Sequence, residues 1–363
     1  MNESPPSLRC PDCDRTYADR WRCECGHPLD YAETPLPDGP APDPAAFDTR
    51  AGLWSFDGFL PEDPLATLGE GTTPLVRAEG WDASFKLEYV FPTGSFKDRG
   101  ATTTVSRAAA LGVDTLVEDS SGNAGAAIAT YAARAGIDAE IYVPASAKAS
   151  KLRAIRRAGA TPVRIEGPRQ ATTDACVDAV EAGEGWYASH AWNPAFLAGT
   201  ATFAYETALQ RDWDVPDAVV LPLGHGTLFL GAYRGFSALE AAGWTDSTPR
   251  LLGAQAAGYA PVVAELRGEE AAAGDNDAAD GIRIAEPVRR EEILDAIAET
   301  GGDAIALDAA SVERELAALH AAGFYTEPTC AVAPAALRAY RERGVLGADA
   351  DVVVPLTGSG LKT

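Results

Sequence analysis

The chain has 363 residues, and its 53 acidic against 30 basic side chains give a formal net charge of −23. The acidic residues are spread along the chain, which argues against nucleic acid or an anionic membrane as the main partner. No apolar run reaches the about 18 residues that a membrane-spanning helix needs, and the first residues lack the basic and apolar regions of a signal peptide. We therefore expect a cytoplasmic protein.

The composition also indicates the environment of the protein. It contains five lysines and one methionine. A carboxylate-rich surface retains its hydration in concentrated salt, so the sequence predicts a halophilic protein. An ordinary acidic protein from a GC-rich genome is the alternative.

Four of the six cysteines crowd into 16 residues near the start of the chain; they are Cys10, Cys13, Cys23 and Cys25. In a cytoplasmic protein this C-x2-C…C-x-C spacing favours a tetrahedral zinc site over disulfides. Gly26 supplies the left-handed turn that the second pair requires. We predict a zinc ribbon over residues 8–29, followed by a proline-rich linker up to about residue 50. Cys176 and Cys330 stand alone, and we expect both to be buried as small hydrophobic residues.

Apolar strands then alternate with helices, a rhythm that predicts parallel sheets with helices on both faces. The predicted strands are 84–89, 115–118, 139–143, 161–165, 218–222, 250–254 and 351–356. The predicted helices are 102–111, 123–135, 150–158, 227–242, 291–300, 312–322 and 331–343. The acidic stretch 268–281 is expected to be an exposed loop. We infer two α/β sheets of unequal size.

One lysine lies at a predicted loop-to-helix junction, within Phe91-Pro-Thr-Gly-Ser-Phe-Lys-Asp-Arg-Gly100. Partial burial of Lys97 beside the aromatic residue Phe96 would disfavour its charged form. The neutral amine that results is the form that attacks a carbonyl group. A solvated surface charge is the common alternative for any lysine.

Two further segments connect a strand to a helix. Gly224, His225, Gly226 and Thr227 open one helix, where backbone N–H groups and the helix dipole favour a phosphate. Ser120, Ser121, Gly122 and Asn123 open another helix, and these residue types are also common as ordinary helix caps.

Pro92-Thr-Gly-Ser-Phe-Lys-Asp-Arg-Gly100 resembles the cofactor-lysine motif of pyridoxal-phosphate (PLP) enzymes of the tryptophan-synthase-β type, and most of all that of threonine synthases. Leu68-Gly-Glu-Gly-Thr-Thr-Pro-Leu75 and Thr357-Gly-Ser-Gly-Leu-Lys362 are also similar to threonine synthase segments. Before the proline the family usually has Asn, where this chain has Phe91.

The resemblance implies a role for each candidate residue. Lys97 would bind PLP and transfer protons. Asn123 would contact the ring hydroxyl, and Thr357 would face the pyridine nitrogen. Residues 224–227 would hold the cofactor phosphate, and residues 120–123 would bind the substrate carboxylate.

The segment around residue 190 departs from the family pattern. Threonine synthases typically read Asn-Ser-x-Asn-Pro-Tyr-Arg, where Asn, Ser and Arg help to hold the substrate phosphate, whereas this chain has His190, Ala191 and Phe196. Each lost charge-assisted hydrogen bond would cost about 1.5–3 kcal/mol of binding. Basic residues at 148, 151 and 153 are possible substitutes, although a solvated helix start is the simpler interpretation of these residues.

The sequence therefore predicts a fold with two α/β domains, PLP as cofactor and a structural zinc ion. The boundaries are 1–30 for the ribbon, 31–50 for the linker and 51–363 for the catalytic region, whose smaller domain covers roughly 101–205. By resemblance the protein would be a homodimer that converts O-phosphohomoserine and water to threonine and phosphate. A serine or threonine dehydratase and a cysteine-synthase-like enzyme are alternatives. A catalytically silent binding protein on the same scaffold is a third, which intact Lys97, Asn123 and Thr357 oppose.

Overall fold

The computed structural model describes residues 5–362, apart from the side chain of Ser150. Internal contacts divide the chain into two units. Unit 1 consists of the described residues up to Pro37, together with Thr49–Gly71 and Lys97–Thr200. Unit 2 consists of Asp38–Asp48, Thr72–Phe96 and the described residues from Ala201 onward.

Strands and helices alternate through most of the chain. The strands are β1 (Leu8–Arg9), β2 (Thr16–Tyr17), β3 (Asp30–Tyr31), β4 (Leu75–Ala78), β5 (Ala83–Lys86), β6 (Thr115–Glu118), β7 (Asp138–Pro144), β8 (Thr161–Ile165), β9 (Trp186–Tyr187), β10 (Ala218–Pro222), β11 (Arg250–Ala256), β12 (Asp303–Leu307) and β13 (Val352–Pro355). The α-helices are α1 (Lys97–Ala110), α2 (Asn123–Ala135), α3 (Ala149–Arg157), α4 (Arg169–Glu181), α5 (Pro194–Leu209), α6 (Thr227–Ala241), α7 (Pro261–Arg267), α8 (Glu269–Ala272), α9 (Arg290–Glu299), α10 (Ala309–Ala321) and α11 (Val332–Glu342).

Unit 1 contains two sheets. The first is a small antiparallel sheet with strand order β2-β1-β3, in which Leu8 lies opposite both Tyr17 and Tyr31. The second is a four-stranded parallel sheet with strand order β8-β7-β6-β9. Small residues of α1 and α2, such as Ala101 and Ala127, are fully buried in the core over this sheet. Such residues allow the helix backbones to approach closely.

Unit 2 contains a six-stranded sheet with strand order β12-β11-β10-β13-β5-β4. All neighbouring strands are parallel except β4, which pairs antiparallel with β5 at the edge. Its central strands are almost completely apolar and buried, as expected when helices cover both faces of a parallel sheet. The two parallel sheets of unequal size confirm the predicted α/β fold class.

Most of the predicted elements are confirmed within two or three residues, and several regions differ. The helix expected from Thr102 begins at Lys97. The segment 268–281 includes the short helix α8, and the side chain of Asn276 within it is buried. Asn276 Nδ2 donates to the carbonyl oxygen of Leu307 at 2.8 Å, which holds this acidic segment against β12. The sequence analysis also did not predict α4, α7, β9 and β12.

Across residues 5–362, each helix is too short or too polar to cross a membrane.

Candidate active site

Lys97 is the first residue of α1 in unit 1, and its side chain is half-buried. Its Nζ atom lies 5.4 Å from the centroid of the Phe196 ring, a cation-π distance. A Cβ atom at Gly100, one turn along α1, would lie 2.3 Å from Cδ1 of the same ring. Only glycine therefore fits at this position, and the ring that packs on Gly100 also supports the amine.

The Ser120–Asn123 loop connects β6 to α2 in unit 1. Ser120 Oγ accepts a hydrogen bond from the backbone N–H of Gly122 at 3.3 Å. A Cβ atom at Gly125 would lie 1.8 Å from the carbonyl oxygen of Ser120, so the loop folds tightly over the first turn of α2. The first backbone N–H groups of a helix lack intrahelical partners, and here they follow a half-buried polar loop.

The Gly224–Thr227 loop lies in unit 2, between β10 and the 15-residue helix α6. Gly226 has a φ of 80°, which favours glycine, and a Cβ atom there would lie 2.5 Å from Cδ1 of Ile293. The side chain of His225 is half-buried and Thr227 is buried. This loop suits the predicted anion site, because a helix N-terminus follows a turn from which side chains are excluded.

Thr357 directly follows β13 in unit 2 and is buried. Its backbone N–H donates to Sγ of Cys330 at 2.8 Å, and its carbonyl oxygen accepts from the backbone N–H of Phe96 at 3.0 Å. Burial raises the pKa of the Cys330 thiol to about 12, so the thiol beside Thr357 is uncharged at neutral pH. Cys330 and Cys176 are both buried, as predicted.

His190, which differs from the residue typical of threonine synthases, has a partner that the sequence analysis did not predict. His190 Nδ1 lies 2.8 Å from Oε1 of Glu118, the last residue of β6. The His190 ring contacts the Phe196 ring at a centroid distance of 5.9 Å in an edge-on arrangement. Glu118, His190 and Phe196 are all buried. The available signal was Glu118, a glutamate that ends an apolar strand two residues before Ser120.

The basic residues near α3 remain close to solvent. Lys148 and Arg153 are exposed, and Lys151 is half-buried. This exposure is typical of a solvated helix start.

The four N-terminal cysteines come together in unit 1. Their Sγ atoms all lie within 4.8 Å of one another, with 3.5 Å between Cys10 and Cys25 and 3.4 Å between Cys13 and Cys23. Gly26 has a φ of 96°, the left-handed turn expected after the second pair. Four thiolates in one cluster are the donor set that a tetrahedral metal ion takes. Asp12 and His27 form a second group with Cys25.

A cavity of about 440 Å³ lies elsewhere in unit 1, between the cysteine-bearing segment and the parallel sheet. Its walls include Trp21, Tyr187 and Trp192, whose rings meet edge to face. None of the predicted site residues lines this cavity, so the cavity is not the candidate active site.

The predicted residues fit PLP within each unit. Unit 1 provides the supported amine of Lys97 and the polar loop before α2. Unit 2 provides the glycine loop before α6, and Thr357 beside an uncharged thiol. These are the residue types that the aldehyde, the phosphate and the ring nitrogen of PLP require.

Comparison with known proteins agrees with this chemistry. A family model described as "Pyridoxal-phosphate dependent enzyme" matches residues 66–358. The threonine synthase of Methanocaldococcus jannaschii is 32% identical, and the match covers 98% of this chain and 92% of that protein. The threonine synthase of Methanosarcina acetivorans is 34% identical over 85% of this chain and 80% of the relative.

Two solved structures share the fold. Maize serine racemase has a TM-score of 0.67 and 20% identity, covering 79% of this chain and 88% of that one. The processed form of threonine deaminase isoform 2 from Solanum lycopersicum has a TM-score of 0.67 and 20% identity, covering 79% of each chain. The chain therefore belongs to the family of pyridoxal-phosphate-dependent enzymes, and within it this protein is a threonine-synthase-like lyase that acts on an amino acid.

Proposed function

We propose that the protein converts O-phosphohomoserine and water to threonine and phosphate. The observation that carries the proposal is the match to curated threonine synthases, which extends over almost the whole chain. It covers 98% of this chain, and the family model spans residues 66–358.

The proposed roles follow from where each residue lies. Lys97 would hold the cofactor and would move protons at Cα and Cβ of the amino acid. The amides of residues 224–227 hold the cofactor phosphate, and those of residues 120–123 bind the substrate carboxylate. Asn123 donates to the ring hydroxyl. When bound, PLP supplies an electron sink for the charge that remains after a carbon-hydrogen bond breaks.

Thr357 faces the pyridine nitrogen in this proposal. Its hydroxyl is neutral, and the nearby Cys330 thiol is also uncharged. A neutral partner does not hold the ring nitrogen protonated, which moderates the electron sink. This environment suits elimination and replacement better than transamination.

A second candidate keeps the cofactor and changes the substrate. Ala191 and Phe196 are buried apolar side chains at two positions where threonine synthases typically bind the substrate phosphate. This observation favours a serine or threonine dehydratase, or a cysteine-synthase-like enzyme, because neither needs a second phosphate site.

We also propose that Cys10, Cys13, Cys23 and Cys25 hold a structural zinc ion. The close approach of their sulfur atoms supports this assignment. We further propose a cytoplasmic location and a high-salt environment, the latter supported by the net charge of −23. The assembly proposed by resemblance is a homodimer.

The test begins with the visible absorption band that PLP bound to Lys97 should give the purified protein. Lys97→Ala should abolish the band, whereas Lys148→Ala, an exposed lysine in the same unit, should retain it. Wild type is then incubated with O-phosphohomoserine, serine and threonine in turn. Release of phosphate with formation of threonine supports the proposal. Conversion of only serine or threonine to a keto acid would replace it with the dehydratase.

A further inference from the structure

A carboxylate-imidazole pair lies beside the lysine of the candidate site. Glu118 Oε1 is 2.8 Å from Nδ1 of His190, the His190 ring meets the Phe196 ring, and the Phe196 ring lies against Lys97 Nζ. All four residues belong to unit 1. His190 and Lys97 therefore lie beside the same aromatic ring.

Glu118 fixes the orientation of His190. Its carboxylate interacts with the imidazole ring and also with the backbone of His190. Because Nδ1 faces the carboxylate, Nε2 lies on the opposite edge of the ring. A carboxylate that holds one nitrogen of an imidazole in this way sets its tautomer and prepares the other nitrogen for proton transfer.

The neighbouring Asp119 is a carboxylate with a structural role, and its hydrogen bonds can be compared with those of Glu118. Asp119 accepts hydrogen bonds from Thr173 Oγ1 at 2.6 Å and from the Tyr187 hydroxyl at 3.0 Å, and Arg169 lies nearby. Glu118 Oε2, in contrast, is buried and has no hydrogen-bond partner among the described residues. A buried polar atom that is left unsatisfied destabilises the fold, and such atoms require an explanation.

The charged groups that act on the Glu118 carboxyl include Lys97 at the start of α1, Asp119 directly after β6 and Arg169 at the start of α4. Burial and Asp119 hold the pKa of the Glu118 carboxyl well above its usual range, against the opposing influence of Lys97 and Arg169. The pair thus retains a shared proton at a pH where an exposed glutamate is ionised.

We propose that His190 is a second proton carrier of the active site and that Glu118 is its positioning residue. The inference rests on the proposed function. As the carbon-oxygen bond of the substrate side chain breaks, its electron pair leaves with the oxygen atom, which takes the proton from Nε2 of His190. The neutral imidazole then accepts a proton from the water molecule that adds at Cβ. The electron pair of the Cβ–H bond that Lys97 breaks forms a double bond to Cγ as the oxygen leaves, and Lys97 delivers that proton to Cγ. His190 is thereby restored, and the sum is O-phosphohomoserine plus water giving threonine plus phosphate.

The first test follows the histidine itself. The chain has only four histidines, so NMR of histidine-labelled holoenzyme gives few signals, and the signal that is lost in His190→Gln identifies His190. Glu118→Gln should lower the pKa of His190, because the carboxyl group that shares a proton with the imidazole at hydrogen-bond distance is removed. Asp119→Asn, which removes a nearby carboxylate that does not contact His190, should change it by less.

The second test follows turnover. A proton donor must be charged, so kcat should fall as pH rises through the pKa of His190. In Glu118→Gln this alkaline limb should move to lower pH by the same amount as the NMR titration. His190→Gln should lower kcat about 10²- to 10⁴-fold with KM nearly unchanged. Its visible absorption band should be retained, since Lys97 is intact.

Particular outcomes overturn the inference. A kcat of His190→Gln within about twofold of wild type would do so, as would an alkaline limb that stays in place while the NMR pKa moves. If wild type releases no phosphate from O-phosphohomoserine, the proposed function fails on its own. The same pH profiles, measured with serine as substrate, then decide the role of His190, because hydroxide is a poorer leaving group and needs the proton more.

Discussion

The Nζ atom of Lys97 lies 5.4 Å from the ring centroid of Phe196, and this ring also occupies the space that a side chain at Gly100 would need. One buried aromatic residue thus supports the reactive amine and fixes the first turn of α1. The amine and the helix backbone cannot shift independently, which makes Gly100 a sensitive probe of the site.

Gly100→Ala should displace the Phe196 ring and disturb Lys97. The added Cβ atom would lie 2.3 Å from the ring, and overpacking of this kind costs about 1–3 kcal/mol. We expect a loss of visible cofactor absorbance at a given PLP concentration, together with reduced stability to denaturant. Gly80→Ala is the control, because a Cβ atom at Gly80 meets nothing within 4 Å. Equal effects of the two substitutions would contradict this account.

Glu118→Gln should stabilise the protein at alkaline pH while lowering its activity. The pKa of Glu118 is raised in the folded state, mainly by burial, so its contribution to stability is present below the unfolded pKa of about 4.3 and is lost as pH rises through the folded pKa. Glutamine removes the buried charge. Denaturant unfolding at constant salt should therefore show a gain for the variant that is larger at pH 8 than at pH 5.

Asp119→Asn provides the matched comparison for that experiment. Asp119 has hydrogen-bond partners in Thr173 and Tyr187, so its replacement should destabilise the protein by about 1–3 kcal/mol. Stabilisation by both variants at pH 8 would indicate a general relief of negative charge rather than a specific cost at Glu118.

Arg107→Met should destabilise unit 1 and loosen the cysteine-bearing segment. The buried guanidinium of Arg107 donates to Glu62 Oε1 at 3.0 Å, to Asp19 Oδ1 at 3.1 Å and to the carbonyl oxygens of Pro6 and Ala18. Removing it leaves the buried Glu62 carboxylate without its cation, a loss of about 3–5 kcal/mol. Denaturant unfolding measures this loss, and limited proteolysis should show faster cleavage before residue 30.

The control for Arg107 is Arg9→Met. Arg9 pairs with Asp14 at 2.6 Å, but both side chains are exposed, and such pairs contribute about 0–1 kcal/mol. A similar loss of stability in the two variants would show that Arg107 does not anchor the segment.

Cys23→Ser should abolish stoichiometric zinc binding. Cys23 Sγ lies 3.4 Å from Cys13 Sγ within the four-sulfur cluster, and a hydroxyl is a much poorer zinc ligand than a thiolate. Metal analysis of the purified protein should give one zinc ion per chain for wild type and for Cys176→Ser, whose cysteine is buried away from the cluster. A wild-type protein without metal, or a Cys23→Ser variant that retains it, would refute the zinc assignment.

The local chemistry of the chain determined much of this protein. The alternation of apolar strands and helices predicted the α/β class, since periodicity is a local property, and strand β6 and helix α2 match their predicted bounds. The C-x2-C and C-x-C pairs predicted the cysteine cluster because short spacings limit how far apart their sulfur atoms can lie. The roles of Lys97, Asn123 and Thr357 remain proposals.

Only the tertiary structure decided which residues surround Lys97. Phe196 lies about a hundred positions further along the chain, and the sequence reading had placed Phe96 beside the amine instead. Glu118 and His190 are 72 residues apart and meet because β6 ends beside the segment that precedes α5. Such pairings depend on strand order and on side-chain packing, and no local period in the sequence encodes either of them.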